Sequence, residues 1–128
     1  HLPSEYKENC VAYTGTHDNE PLADFILSKD GEERKAFEDS LEKQCLIADV
    51  PYIVESVDDE CQSVIELLFS TPANTVIIPM HDILSLGKEA RINAPSTVGQ
   101  NWTYRYTEKD FRRRKAAWLK GLCQHYRR

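Results

Sequence analysis

Nothing in the 128-residue chain approaches the ~18 consecutive apolar residues that a membrane-crossing helix needs, so no membrane association is expected. The opening stretch HLPSEYKENC has no basic segment followed by an apolar core and gives no reason to read a secretory leader. The four cysteines, Cys10, Cys45, Cys61 and Cys123, are far apart and form no C-x-x-C pair. Neither a zinc ribbon nor a redox pair is expected from them, and free thiols in a reducing, cytoplasmic setting are. Internal repeats, low-complexity tracts and an obvious linker are also missing, so residues 1–128 read as a single segment. Asn101-Trp102-Thr103 fits the glycosylation triplet, but without a secretory context it is read as a chance match.

What is present is the composition of a globular protein, 41% hydrophobic and 29% charged. The net charge of −5 conceals an asymmetry: residues 1–64 hold 5 Lys/Arg against 16 Asp/Glu, and residues 65–128 hold 11 against 5. The run Arg112-Arg113-Arg114-Lys115 and the pair Arg127-Arg128 could form a phosphate-binding patch. The acidic total opposes that, and the same cations suit a last helical turn paired with the acidic half, so no nucleic-acid partner is expected.

Cys10 to Thr16, CVAYTGT, is a short β-favouring run stopped by Gly15 and reads as a buried strand entering the loop His17-Asp18-Asn19-Glu20-Pro21. Phe37, Leu41, Cys45 and Ala48 then make one apolar stripe of a surface helix that Pro51 ends. Ser56 and Asp59 form a capping pattern before a second helix burying Cys61, Val64, Ile65 and Leu68. Thr75 to Pro79, TVIIP, suits a strand covered on both faces, parallel to the first and joined to it by a βαβ crossover, right-handed by default. Residues 84–106 are irregular. A last helix is expected to open at a Thr107 cap with Asp110 and to bury Phe111, Trp118, Leu119 and Leu122.

Both strands run into the same dipeptide, His17-Asp18 after the first and His81-Asp82 after the second. The C-terminal edge of a parallel sheet is where loops converge and ligands bind, so these four residues are site candidates. Asp18 and Asp82 could instead cap the helices that follow them. Two His-Asp pairs also suit a divalent-metal hydrolase, but the loops supply no further His or Glu at ligand spacing, and no metal or cofactor is expected. The loop RINAPSTVGQNWTYR sets Asn93, Asn101, Arg91 and Arg105 among Trp102 and Tyr104, the amide, charge and aromatic mixture that binds sugars. The competing reading makes Trp102 and Tyr104 core aromatics that hold the loop down.

Two segments carry a family resemblance. Tyr13-Thr14-Gly15-Thr16-His17-Asp18-Asn19 resembles the YTGTHDN segment of the amylomaltase family of 4-alpha-glucanotransferases. ANTVIIPMHDILSLGKEARINAPSTVGQNWTYR, from Ala73 to Arg105, resembles that family's strand, P-x-Q-D, E-A-R, P-G-T and N-W-x-[WY]-R succession. Departures are Glu20-Pro21 for Asp-Thr, His81 for Gln, Ile92 for Met and Ser96 for Gly. The resemblance implies an α/β chain that is the C-terminal part, the last two βα units, of a (β/α)₈ TIM barrel. It implies transfer of alpha-1,4-glucan segments between maltooligosaccharides with retention, which needs a nucleophile and an acid/base carboxylate about 5 Å apart. Those two would lie on earlier strands, outside these residues. Asp18 would match the third acidic residue, a transition-state stabiliser, with His17 binding the same sugar. Asn19, His81, Asp82, Asn93, Pro95 and Trp102 are the expected substrate contacts.

On this reading the chain is a fragment, silent alone, whose sheet edges require the missing N-terminal barrel portion or self-association. A non-catalytic carbohydrate-binding module is the alternative from another class.

Overall fold

Two parallel strands and five helices make up the computed structural model, which describes residues 2–128. The order is β1 (Val11–Tyr13), α1 (Leu22–Leu27), α2 (Gly31–Ala48), α3 (Val57–Ser70), β2 (Thr75–Ile77), α4 (Met80–Ile83) and α5 (Arg113–Tyr126), with single 3-10 turns at Pro3–Glu5 and Lys88–Ala90. The strands pair in register Val11 to Thr75, Ala12 to Val76 and Tyr13 to Ile77, so both chains leave the sheet on one edge.

The middle of the molecule is α3. Its entry is the expected N-terminal cap: the Asp59 N–H donates to Ser56 Oγ at 3.2 Å, and the Ser56 hydroxyl donates in turn to Asp59 Oδ2 at 2.6 Å. Its apolar residues pack against three other helices and, through Leu68, against the sheet. Cys61 packs with Leu22, Ala23 and Ile26 of α1, Leu67 with Leu41 and Cys45 of α2, and Ile65 and Phe69 with Leu122 of α5. Each fully buried large side chain contributes about 1.5–3 kcal/mol, which outweighs the modest propensity of so short a helix. Burial pushes the Cys61 thiol up to about 12 and, with the Glu66 charge, Cys45 up to about 11; all four cysteines are free thiols.

Three expectations change. The strands are buried on one face only: Ala12 packs with Leu68 and Ala73, and Val76 and Ile78 close against them, while Val11, Tyr13 and Ile77 are exposed. Alternation sends successive side chains to opposite faces, and within the described residues α3 covers only one. The second helix stops at Ala48 because Asp49 turns left-handed at φ 55° and the Val50 N–H returns to Cys45 O at 2.9 Å; Pro51 follows an end already made. The last helix begins at Arg113, not at Thr107. There the Asp110 carboxylate accepts the Thr107 N–H at 2.6 Å and its hydroxyl at 3.0 Å, closing an isolated turn, and Arg112 is extended, which leaves Phe111 exposed.

The cation run therefore lies in the first turn of α5, where the helix dipole disfavours it. Lys115 is buried, with Nζ donating to Asp58 Oδ1 and lying 3.3 Å from Ser85 Oγ, and Arg114 Nη2 is 3.5 Å from Asp58 Oδ2. Burial works to raise the Asp58 carboxyl, but hydrogen bonds from Lys115 and Ser85 and the Lys115 and Arg114 charges outweigh it and hold the carboxyl below 3.8. A depressed carboxyl stabilises the fold above its unfolded value and loses that contribution as pH falls through the folded one. Urea unfolding at pH 6 and pH 3 should show this loss, and Lys115→Met, which deletes the principal partner, should make the decline shallower; an unchanged slope would remove the ion pair from the account.

Candidate functional site

The edge where β1 and β2 end carries two loops that meet. After Tyr13 the chain turns sharply: Asn19 Oδ1 accepts the Thr16 N–H at 2.7 Å and the Thr16 hydroxyl at 2.9 Å, and the Asn19 N–H donates to Thr16 O at 3.1 Å. A Cβ on Gly15 would stand 3.2 Å from Asn19 Cβ, so the closeness of this turn depends on glycine. The turn presents His17 and Asp18 outward, their side chains 53% and 50% exposed, with His17 Nε2 3.3 Å from Asp18 Oδ1.

The second loop comes from beyond β2. Its base is closed by the Trp102 N–H donating to Ile92 O at 2.7 Å, and its interior by Asn101, whose Oδ1 accepts the Ala94 N–H at 2.9 Å and whose Nδ2 donates to Thr97 O at 3.1 Å. Arg91 staples the loops together, donating from Nη2 to Asp18 O at 2.9 Å and from Nε to Asn93 O at 3.0 Å. Asn93 Nδ2 in turn donates to Asp18 Oδ1 at 2.6 Å. Trp102, 59% exposed, tilts against the His17 imidazole with ring centroids 5.1 Å apart. Tyr104 is half-buried and packs edge-on to Tyr106 at 5.1 Å, outside the buried core.

Four expected residues, His17, Asp18, Asn93 and Trp102, thus form one exposed cluster. Asn19 is adjacent, with its carbonyl oxygen committed to the turn, and Pro95 is exposed at the loop tip. The other pair is elsewhere. His81 and Asp82 are 3% and 2% exposed, leaving no surface for a sugar, and both Asp82 oxygens accept internal donors, Oδ1 from the Leu22 N–H at 2.7 Å and Oδ2 from the Thr14 hydroxyl. The reading of Asp82 as a cap for a helix following it is corrected too: Asp82 lies inside α4, and the N–H that it holds opens α1. Burial, against the opposing pull of Asp82, holds His81 below the usual imidazole value. With one pair outside and one inside, the two His-Asp dipeptides do not converge, and among the described residues no group of three potential ligands is placed to hold a metal ion.

Ser96 adopts φ 63°, the left-handed region that costs an L-residue about 1–2 kcal/mol. Ser96→Gly should accordingly raise unfolding stability by about 1 kcal/mol, read as an upward shift in thermal midpoint; a lower midpoint would show that the hydroxyl contributes more than the strain costs.

Chemically, the cluster offers a carboxylate with Oδ1 held by Asn93 and, among the described residues, no donor on Oδ2. Beside it stand an imidazole and an open indole face. That set can bind a polyol and favour positive charge near it. A single carboxylate cannot carry out double displacement at a glycosidic bond.

A mixed α/β unit with a polar cluster on the C-terminal edge of its parallel strands is the arrangement in which α/β proteins hold ligands. The chain belongs to the 4-alpha-glucanotransferase family, whose model matches residues 1–112. It is 38% identical over its full length to the 4-alpha-glucanotransferase of Clostridium butyricum, of which it spans 24%, and 39% identical over 105 residues, 82% of its length, to the chloroplastic/amyloplastic enzyme of Arabidopsis thaliana, of which it spans 16%. Among solved structures, the amylomaltase from Streptococcus agalactiae in complex with acarbose superposes with a TM-score of 0.82 at 30% identity, over 99% of this chain and 23% of that one. The chain therefore spans about a quarter or less of the length of these relatives. No described helix is long and apolar enough to cross a membrane.

Proposed function

We propose that these residues form the donor-sugar edge of a longer 4-alpha-glucanotransferase, which moves alpha-1,4-glucan segments between maltooligosaccharides with retention. The observation that carries the reading is Asp18, half-exposed, anchored through Oδ1 by Asn93 and through its carbonyl by Arg91, with Oδ2 open beside His17 and Trp102. Oδ2 would accept hydroxyl protons of the donor glucose and stabilise the positive charge that develops on the ring; His17 would donate to the same sugar, and Trp102 would lie under an adjoining ring. The nucleophile and the acid/base would come from the remainder of the enzyme. In this reading the strands are the last two βα units of a (β/α)₈ barrel, and the open face of Val11, Tyr13 and Ile77 is completed by the other strands. The acarbose complex of the Streptococcus amylomaltase supports an alpha-glucan ligand.

Incubation with maltotriose tests this. The longer enzyme should release glucose and build longer maltooligosaccharides, and residues 1–128 alone should do neither. Turnover by the 128 residues would place both catalytic carboxylates inside them and refute the proposal.

A further inference from the structure

Asp82 is bound to both ends of the segment that carries His17 and Asp18. Its Oδ2 accepts the hydroxyl proton of Thr14, the first residue after β1, and its Oδ1 accepts the N–H of Leu22, the first residue of α1, at 2.7 Å. Between those points, residues 15–21 close their own turn through Thr16 and Asn19 and are fastened on the far side by Arg91 and Asn93. The turn is thus internally rigid, and its aim relative to the sheet is set at its base by one carboxylate. The base is buried: Asp82 is 2% exposed, and His81, with Nε2 3.4 Å from Oδ1, closes one side.

We propose that Asp82 is a positioning residue for Asp18, acting through the 15–21 loop and touching no substrate. The inference rests on the reading of Asp18 given above. Two donors, a hydroxyl and an amide N–H, converge on one side chain, and a carboxylate presents an acceptor to each. Removing it frees both ends of a loop whose outer residue must meet a sugar hydroxyl within hydrogen-bond distance, and a displacement of about 1 Å at such a group costs on the order of 10²-fold in rate.

The test uses the longer enzyme with maltotriose and compares Asp82→Ala, Asp82→Asn, Thr14→Val, Asp18→Asn and the double variant Asp18→Asn with Asp82→Ala. Asp82→Ala should lower kcat by about 10²-fold with KM held within about threefold. Asp82→Asn should recover most of that loss, because its carbonyl can keep the Leu22 N–H and its amide can donate to the Thr14 oxygen. Thr14→Val, which frees one end only, should fall between, and it carries the same test should Asp82→Ala fail to fold. On the Asp18→Asn background, Asp82→Ala should cost less than about threefold, since the aim of a residue that has stopped acting no longer matters. A loss that multiplies in full on that background overturns the proposal, as do folded Asp82→Ala and Thr14→Val enzymes with near-normal kcat while Asp18→Asn is inactive. If Asp18→Asn itself turns over normally, the site reading fails and the positioning role with it.

Discussion

In the longer enzyme, Asp18→Asn should lower kcat by about 10²–10³-fold while KM for maltotriose changes by no more than a few-fold. The reason is local. An asparagine at position 18 can keep its Oδ1 on Asn93 and its main-chain carbonyl on Arg91, so the loop survives. The atom that changes is Oδ2, which among the described residues has no donor on it and is free for ligand. Replacing it with an amide removes an acceptor and a negative charge from the point where the sugar ring becomes positive, an interaction that strengthens between ground state and transition state and therefore appears in kcat. Steady-state kinetics across a maltotriose series, with circular dichroism to verify the fold, checks it. Turnover near that of the unsubstituted enzyme would take Asp18 out of the chemistry.

The largest stability loss is expected at Arg34→Ala, about 3–5 kcal/mol by urea unfolding. Glu60, on α3, is 1% exposed, and its Oε1 has no partner among the described residues, so its charge is held by Oε2, 2.5 Å from Arg34 Nη2. Arg34 also donates to Glu38 Oε1 at 2.6 Å and to Ile26 O at 2.9 Å, joining α2 to the end of α1 as well as to α3. Truncation strands a carboxylate in the core and frees a helix end together. Glu60→Gln should be far milder, because a neutral amide keeps an acceptor for Arg34 without a charge to desolvate. Equal losses in the two variants would mean that the attraction between Arg34 and Glu60, not the desolvation of a stranded carboxylate, sets the loss.

The parallel pair, the Ser56 cap and the apolar stripes of α2 and α3 are legible because each follows from local chemistry: β-branched runs, an oxygen three residues before an N–H, and a period of 3.6. So is the grouping of polar residues on the outer loops, since YTGTHDN and the Asn93 to Trp102 stretch each place polar groups on a turn. What spacing could not reveal is which groups meet at long range. Asp82 reads as a cap for a helix following it, and nothing near it names Thr14 or Leu22. Lys115 reads as one more surface cation in a basic run, and only the approach of Asp58, 57 residues earlier, buries it. Arg91 reads as part of the sugar-binding loop, whereas it ties that loop to Asp18. The six-residue helix Leu22–Leu27 has no stripe long enough to declare itself, and its place is settled by Cys61 packing from another helix. The unexpected exposure of Val11, Tyr13 and Ile77 is of the same kind, because a β-branched run says that a strand wants cover without saying what supplies it.

The contact between Trp102 and His17 gives the molecule an optical handle. Of the chain's two tryptophans, Trp118 lies half-buried on α5, and Trp102 stands open at the site with an imidazole 5.1 Å from its ring. In residues 1–128 with Trp118 replaced by phenylalanine, indole emission would come from the loop edge alone. A saccharide that parted the two rings or shielded the indole from water would alter the intensity and colour of that emission, and occupancy could be titrated without any turnover.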